Sequence, residues 1–122
     1  MGRPIHFELA ALDPQRAVGF YRSVFGWDIS TWGGPMEYYL IHTGDPKEPG
    51  IDGAIAPSTD GTVGTTMTIG VPSLDAAVEA VTNSGGTVLF SRHAVPGVGY
   101  LAYCKDTEGN VIGLMQEDAS AT

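Results

Sequence analysis

A chain of 122 residues, 43% apolar and 16% charged, has the size and composition of one soluble globular domain with a real core. Its net charge of −8, from six Lys and Arg against 14 Asp and Glu, excludes a nucleic-acid partner, which needs clustered cations. The same balance suits a cationic guest. No apolar run reaches the ~20 residues of a membrane span, no signal-peptide core opens the chain, and the single Cys104 forms no intrachain disulfide, so a cytoplasmic protein is expected.

The first element alternates: Ile5, Phe7 and Leu9 fall on one side, His6, Glu8 and Ala10 on the other, the period of a half-buried strand. Asp13-Pro14 then supplies an N-cap and a preset first helical residue. A stripe of Ala17, Val18, Phe20, Tyr21, Val24 and Phe25 predicts a helix that Gly26 ends. His6 and Glu8 are thus expected on the strand face that does not pack on the helix. A short extended piece (28–32), the turn at Gly33-Gly34-Pro35, a strand over Met36–His42, a polar loop and a weaker strand over Ile51–Pro57 follow.

After a linker the programme restarts. Met67, Ile69 and Val71 alternate with Thr66, Thr68 and Gly70, Ser73 caps a helix bearing Leu74, Ala77, Val78 and Val81, and Gly85-Gly86 ends it. Thr87–Phe90, Tyr100–Cys104 and Val111–Gln116 read as three strands, the last two joined by a tight turn at Asp106–Asn110. Shifted by about sixty positions, the halves register: Phe7 falls on Met67, Asp13 on Ser73, Ala17-Val18 on Ala77-Val78. Two βαβββ modules are predicted, at about 4–57 and 65–117, joined by residues 58–64 within a single domain spanning 1–122.

The motif D-P-x-R-A-x-x-F-Y (Asp13 to Tyr21) followed by V-F-G-W (Val24 to Trp27), and in the second half P-G-V-G-Y-L-A-Y (Pro96 to Tyr103) and K-D-T-E-G-N-V-I-G-L-M-Q (Lys105 to Gln116), resemble the vicinal oxygen chelate superfamily, the glyoxalase, bleomycin-resistance and dioxygenase-like proteins. The resemblance covers nearly the whole chain. It implies an α+β fold in which two βαβββ modules form a curved mixed sheet, a cup with helices on its outer face, and a homodimer. In metal-dependent members the cup holds one divalent ion on His and Glu side chains. The matching positions here are His6, Thr66, Ala54 and Gly113, one metal-ligating type among four. Thr, Ala and Gly side chains cannot supply the donors such an ion needs, so no metal and no other cofactor are expected.

His6 and Glu8, two apart on one strand, are the candidate catalytic pair, because a carboxylate beside an imidazole can raise its basicity or bind a cation. The ligand-binding wall is assigned to Trp32, Tyr38, Ala54, Thr66, Thr68, Tyr100, Gly113 and Met115, with space left at Ala54 and Gly113. Tyr39 and Tyr103 are also large enough to line the concave sheet, and about half of the large aromatics are needed simply to fill the core. His42 ends a strand and is expected to face solvent; only a relocated metal site would recruit it with His6 and Glu8. His93 falls in a polar connection, and Cys104 is expected to be inert.

The function expected is binding of a small organic molecule, cationic or aromatic, without the usual metal. The alternatives are a metal-free isomerase, cyclase or lyase using His6 and Glu8, a relocated-metal lyase or dioxygenase, and a partner-binding module.

Overall fold

The computed structural model describes residues 2–122. The chain divides into two compact units, His6–Thr66 and the stretch ending at Ile5 together with Met67–Thr122. Each carries four strands and one helix.

In the first unit, β1 (Arg3–Ala11) leads into α1 (Pro14–Phe25), then β2 (Asp28–Thr31), β3 (Tyr39–His42) and β4 (Gly53–Pro57). The strand order is β2-β3-β4-β1, with β1 parallel to β4 and the rest antiparallel. The helix starts as its sequence requires. Asp13 is extended, its carboxylate accepts the Arg16 N–H at 3.1 Å, and Pro14 occupies the first turn. It stops at Gly26, whose φ of 69° is a left-handed conformation natural to glycine, with its N–H bonded to the Arg22 carbonyl.

Val18 packs on Ala11, Ile29, Tyr39, Ile41 and Ile55, with Phe7, Leu9, Ala17, Tyr21 and Trp27 around them. The expected apolar stripe is only partly used. Phe20, Val24 and Phe25 are more than half exposed. At 100° per residue Phe20 lies roughly 200° around the helix from Val18, so it cannot share its burial. Ile5 also departs from the expected stripe: its side chain lies against Gly70 and takes no part in this core.

The strand predicted over Met36–His42 forms only from Tyr39. Thr31 pairs with Tyr39, the Trp32 N–H donates to the Tyr38 carbonyl, and the residues between loop out. Pro35, which lacks an N–H, cannot extend the ladder.

In the second unit, β5 (Gly64–Gly70) precedes α2 (Leu74–Asn83), β6 (Thr87–Val95), β7 (Gly99–Lys105) and β8 (Val111–Glu117). The order β5-β8-β7-β6 repeats that of the first unit, with β5 parallel to β8. Ser73 caps α2 by accepting the Ala76 N–H, and the Leu74 N–H is held by Gln116 Oε1 at 2.8 Å. Leu74, Ala102, Cys104 and Leu114 form this unit's core.

Strand β6 runs five residues further than predicted and absorbs Arg92 and His93, with register shifts between Val88 and Phe90 and between Phe90 and His93. His93 therefore sits on a strand opposite Leu101 and not in a connection. Bulges let a polar segment stay paired while turning side chains away, so it reads as a loop in the sequence. Met67, expected on the core stripe, is exposed.

The internal repeat is visible in the ladders. Glu8 is the register partner of Ala54, and Thr68 that of Gly113, the same parallel pair displaced by sixty and fifty-nine positions.

Candidate functional site

Two strand faces turn away from the helices. On the first unit's face, β1 presents His6 and Glu8, β4 presents Ala54 beside Glu8, and β3 presents Leu40 beside Ala54. Tyr38, just before β3, joins the first two. Its hydroxyl donates to Glu8 Oε2 at 3.1 Å and lies 3.3 Å from His6 Nε2. The Trp32 indole meets the Tyr38 ring edge-on, centroids 6.0 Å apart. Beside them is a cavity of about 300 Å³ lined by the β2–β3 loop, including Gly33, Gly34, Met36 and Tyr38. A larger groove of about 510 Å³ runs along α1 between Leu12, Phe20 and Val63 and contains neither His6 nor Glu8.

Burial holds the His6 imidazole below its usual range, and the nearby Glu8 and Asp52 carboxylates only partly offset it. Because the folded-state value lies under the unfolded one, the unfolded chain binds the extra proton first as acid is added. Stability present at neutral pH is therefore lost as the pH falls from about 6.5 through the folded-state value. Urea midpoints measured from neutral pH down to about pH 5 are expected to drop less steeply in His6→Gln than in the parent.

His42 shares the face through Leu40 but belongs to a different cluster. Its Nδ1 lies 3.1 Å from Asp52, and Asp52 also accepts the Thr43 N–H and hydroxyl. The Thr43 N–H is the main reason the Asp52 carboxyl sits below its usual range. The relocated set of His6, Glu8 and His42 is not brought together. Among the described residues, no group of three or more His, Cys, Asp and Glu side chains could hold a metal ion.

On the second unit's face, Thr68, Gly113, Tyr103 and Met115 come together. The space expected at Gly113 is filled: a Cβ there would stand 3.0 Å from Thr68 Oγ1 and 3.5 Å from the Tyr103 ring. Ala54 on the first unit is likewise fully buried. Neither position is a vacated pocket. Thr66, two residues before Thr68 on β5, is half-buried.

Tyr100 goes to the opposite face, against Ala102 and Leu114, with the Arg92 guanidinium 4.0 Å over its ring. Tyr103 is the tyrosine opposite Gly113. The Asp106–Asn110 turn carried that signal, because counting back from it pairs Lys105 with Val111 and Tyr103 with Gly113, leaving Tyr100 on the other parity. Cys104 is buried in the core, where desolvation pushes its thiol up.

The donor set does not suit the superfamily's divalent ion. Of the four matching positions, His6 alone bears a ligating side chain; Thr66, Ala54 and Gly113 do not.

Repeated βαβββ units with parallel β1·β4 and β5·β8 pairs define an α+β protein of the vicinal oxygen chelate superfamily, the glyoxalase/bleomycin-resistance fold. The chain belongs to the glyoxalase-like domain family, whose model matches residues 6–115. Among curated proteins, none matches it. Among solved structures it is similar to the methylmalonyl-CoA epimerase of Mycobacterium tuberculosis (14% identity, TM-score 0.72, covering 94% of this chain and 87% of that one). It is also similar to a Streptomyces coelicolor methylmalonyl-CoA epimerase in complex with 2-nitronate-propionyl-CoA (18%, 0.74, 96% and 98%). A third is a hypothetical protein of Bacillus halodurans C-125 (13%, 0.72, 99% and 98%). At these identities the likeness is one of fold. No helix among the described residues is long and apolar enough to cross a membrane.

Proposed function

We propose that this glyoxalase-like protein binds a small organic molecule at the His6–Tyr38–Glu8 face without the superfamily's usual metal. The observation that carries the reading is the bridge itself: one hydroxyl ties an imidazole to a carboxylate on a strand face whose neighbouring position, Ala54, offers no donor. The wider reading is a single domain of two modules (4–57 and 65–117, joined by 58–64), a cytoplasmic homodimer, with an antibiotic-type ligand that is sequestered and released unchanged.

Thermal-shift screening against cationic and aromatic natural products tests it, because a ligand of the native state alone raises the unfolding midpoint. A binder recovered intact, with its effect lost in Tyr38→Phe or Glu8→Gln, supports sequestration. No binder whose effect depends on either residue speaks against the site.

A second reading, a metal-free acid/base catalyst built on His6 and Glu8, is favoured by one observation: neighbours sharing this fold are methylmalonyl-CoA epimerases, and epimerisation removes and returns a proton. A CoA ester is an anion, however, and residues 6–66 carry three Lys and Arg against eight Asp and Glu. Arg16 pairs with Asp13, and Arg22 donates to the Ile29 carbonyl, so both are engaged on the helix side. Formation of an altered product that depends on His6 would favour the enzyme.

A further inference from the structure

The bridging hydroxyl has a single proton. A carboxylate only accepts hydrogen bonds, so the Tyr38 proton lies toward Glu8 Oε2. The Tyr38 oxygen then has lone pairs alone to offer His6, and the 3.3 Å contact is made only if Nε2 carries a hydrogen. In a singly protonated ring that leaves Nδ1 as a bare lone pair. Among the described residues, Nδ1 of His6 and Oε1 of Glu8 have no hydrogen-bond partner, and no buried side-chain nitrogen or oxygen is without one. Neither atom is therefore fully buried.

We propose that Tyr38 is a positioning residue that locks His6 in its Nε2–H tautomer, so that this face presents two acceptors, His6 Nδ1 and Glu8 Oε1, and takes the N–H group of a protonated amine. The ligand class rests on the binding function proposed above; the tautomer lock does not. The charge balance agrees. Glu8 forms no ion pair with a Lys or Arg among the described residues, whereas Asp13 and Asp75 each have an arginine. The Trp32 and Tyr38 rings supply the aromatic wall on which an organic cation is best held.

Long-range proton–nitrogen NMR of the imidazole at mildly alkaline pH reads the tautomer directly, with His6 assigned by His6→Gln. The parent is expected to show hydrogen on Nε2, and Tyr38→Phe a mixture of both tautomers. A parent ring protonated on Nδ1, or an unchanged Nε2–H tautomer in a folded Tyr38→Phe, overturns the lock. The parent spectrum alone decides if that variant does not fold.

For the ligand class, phenethylamine and 3-phenylpropionate share a ring and differ in charge. The amine is expected to shift the His6 ring signals and the carboxylate to leave them, with Glu8→Gln weakening the amine about tenfold. Shifts with the carboxylate in place of the amine overturn the ligand class and leave the binding face standing. Shifts with neither count against the binding function itself, while the tautomer result stands or falls separately.

Discussion

Replacing Ala54 by glutamate, the change that would restore a carboxylate at a metal-ligand position, is expected to destabilise the protein by about 3–5 kcal/mol. Ala54 is fully buried and lies between Glu8 and Leu40 in the sheet register. The new carboxylate would be desolvated, would have no cation to pair with, and would stand beside Glu8. Its extra methylenes would also displace neighbours packed against a methyl group. Thermal unfolding is expected to fall by about 10–20 °C. Added Zn²⁺ or Ni²⁺ is expected not to restore the midpoint, since the Thr66 and Gly113 positions would still supply no ligand. Recovery to the parental midpoint on adding either ion would show a latent metal site that this account denies.

Ile55→Ala is expected to cost about 3 kcal/mol, within the usual range for emptying a core isoleucine site. Ile55 is fully buried, its β1 partner is Leu9 and its β3 partner is Tyr39, so both neighbouring strands lose contact with one side chain. It is also in the layer that Val18 of α1 covers. The urea midpoint should drop with an unchanged slope, as for a loss of stability without a change in the denatured state. Met36→Ala, on an exposed loop side chain, should stay within about 0.5 kcal/mol of the parent. An Ile55→Ala protein as stable as Met36→Ala would mean that the first unit's core lies elsewhere.

The strands and helices were legible where local chemistry decides them. Asp13 and Ser73 cap their helices as their side chains allow, and the sixty-residue repeat reappears as the Glu8–Ala54 and Thr68–Gly113 pairs. What escaped depends on partners distant in the chain. A helical stripe of six apolar residues says which side chains are candidates for burial, but what packs beneath decides that Val18 is covered while Phe25, seven residues on and on nearly the same side, is not. The bulges of β6 are invisible to a strict period of two, and so a paired His93 looked like part of a connection.

At the site, alternation along one strand was enough to put His6 and Glu8 on the same face. It could not show that Tyr38 reaches both, because those contacts span 30 and 32 residues and depend on how the β2–β3 loop folds back through Trp32. Nor could small side chains at Ala54 and Gly113 be read as empty space. Tyr103 and Thr68 close over Gly113, and only packing reveals it.

The central claim is that this scaffold works through a hydroxyl-bridged imidazole and carboxylate rather than through a bound ion. Equilibrium dialysis of chelator-stripped protein against Zn²⁺, Ni²⁺ and Mn²⁺, in parent and His6→Ala, tests it most directly. The account predicts that neither protein retains a stoichiometric ion and that the two behave alike. One ion held tightly per chain by the parent and lost in His6→Ala would contradict it.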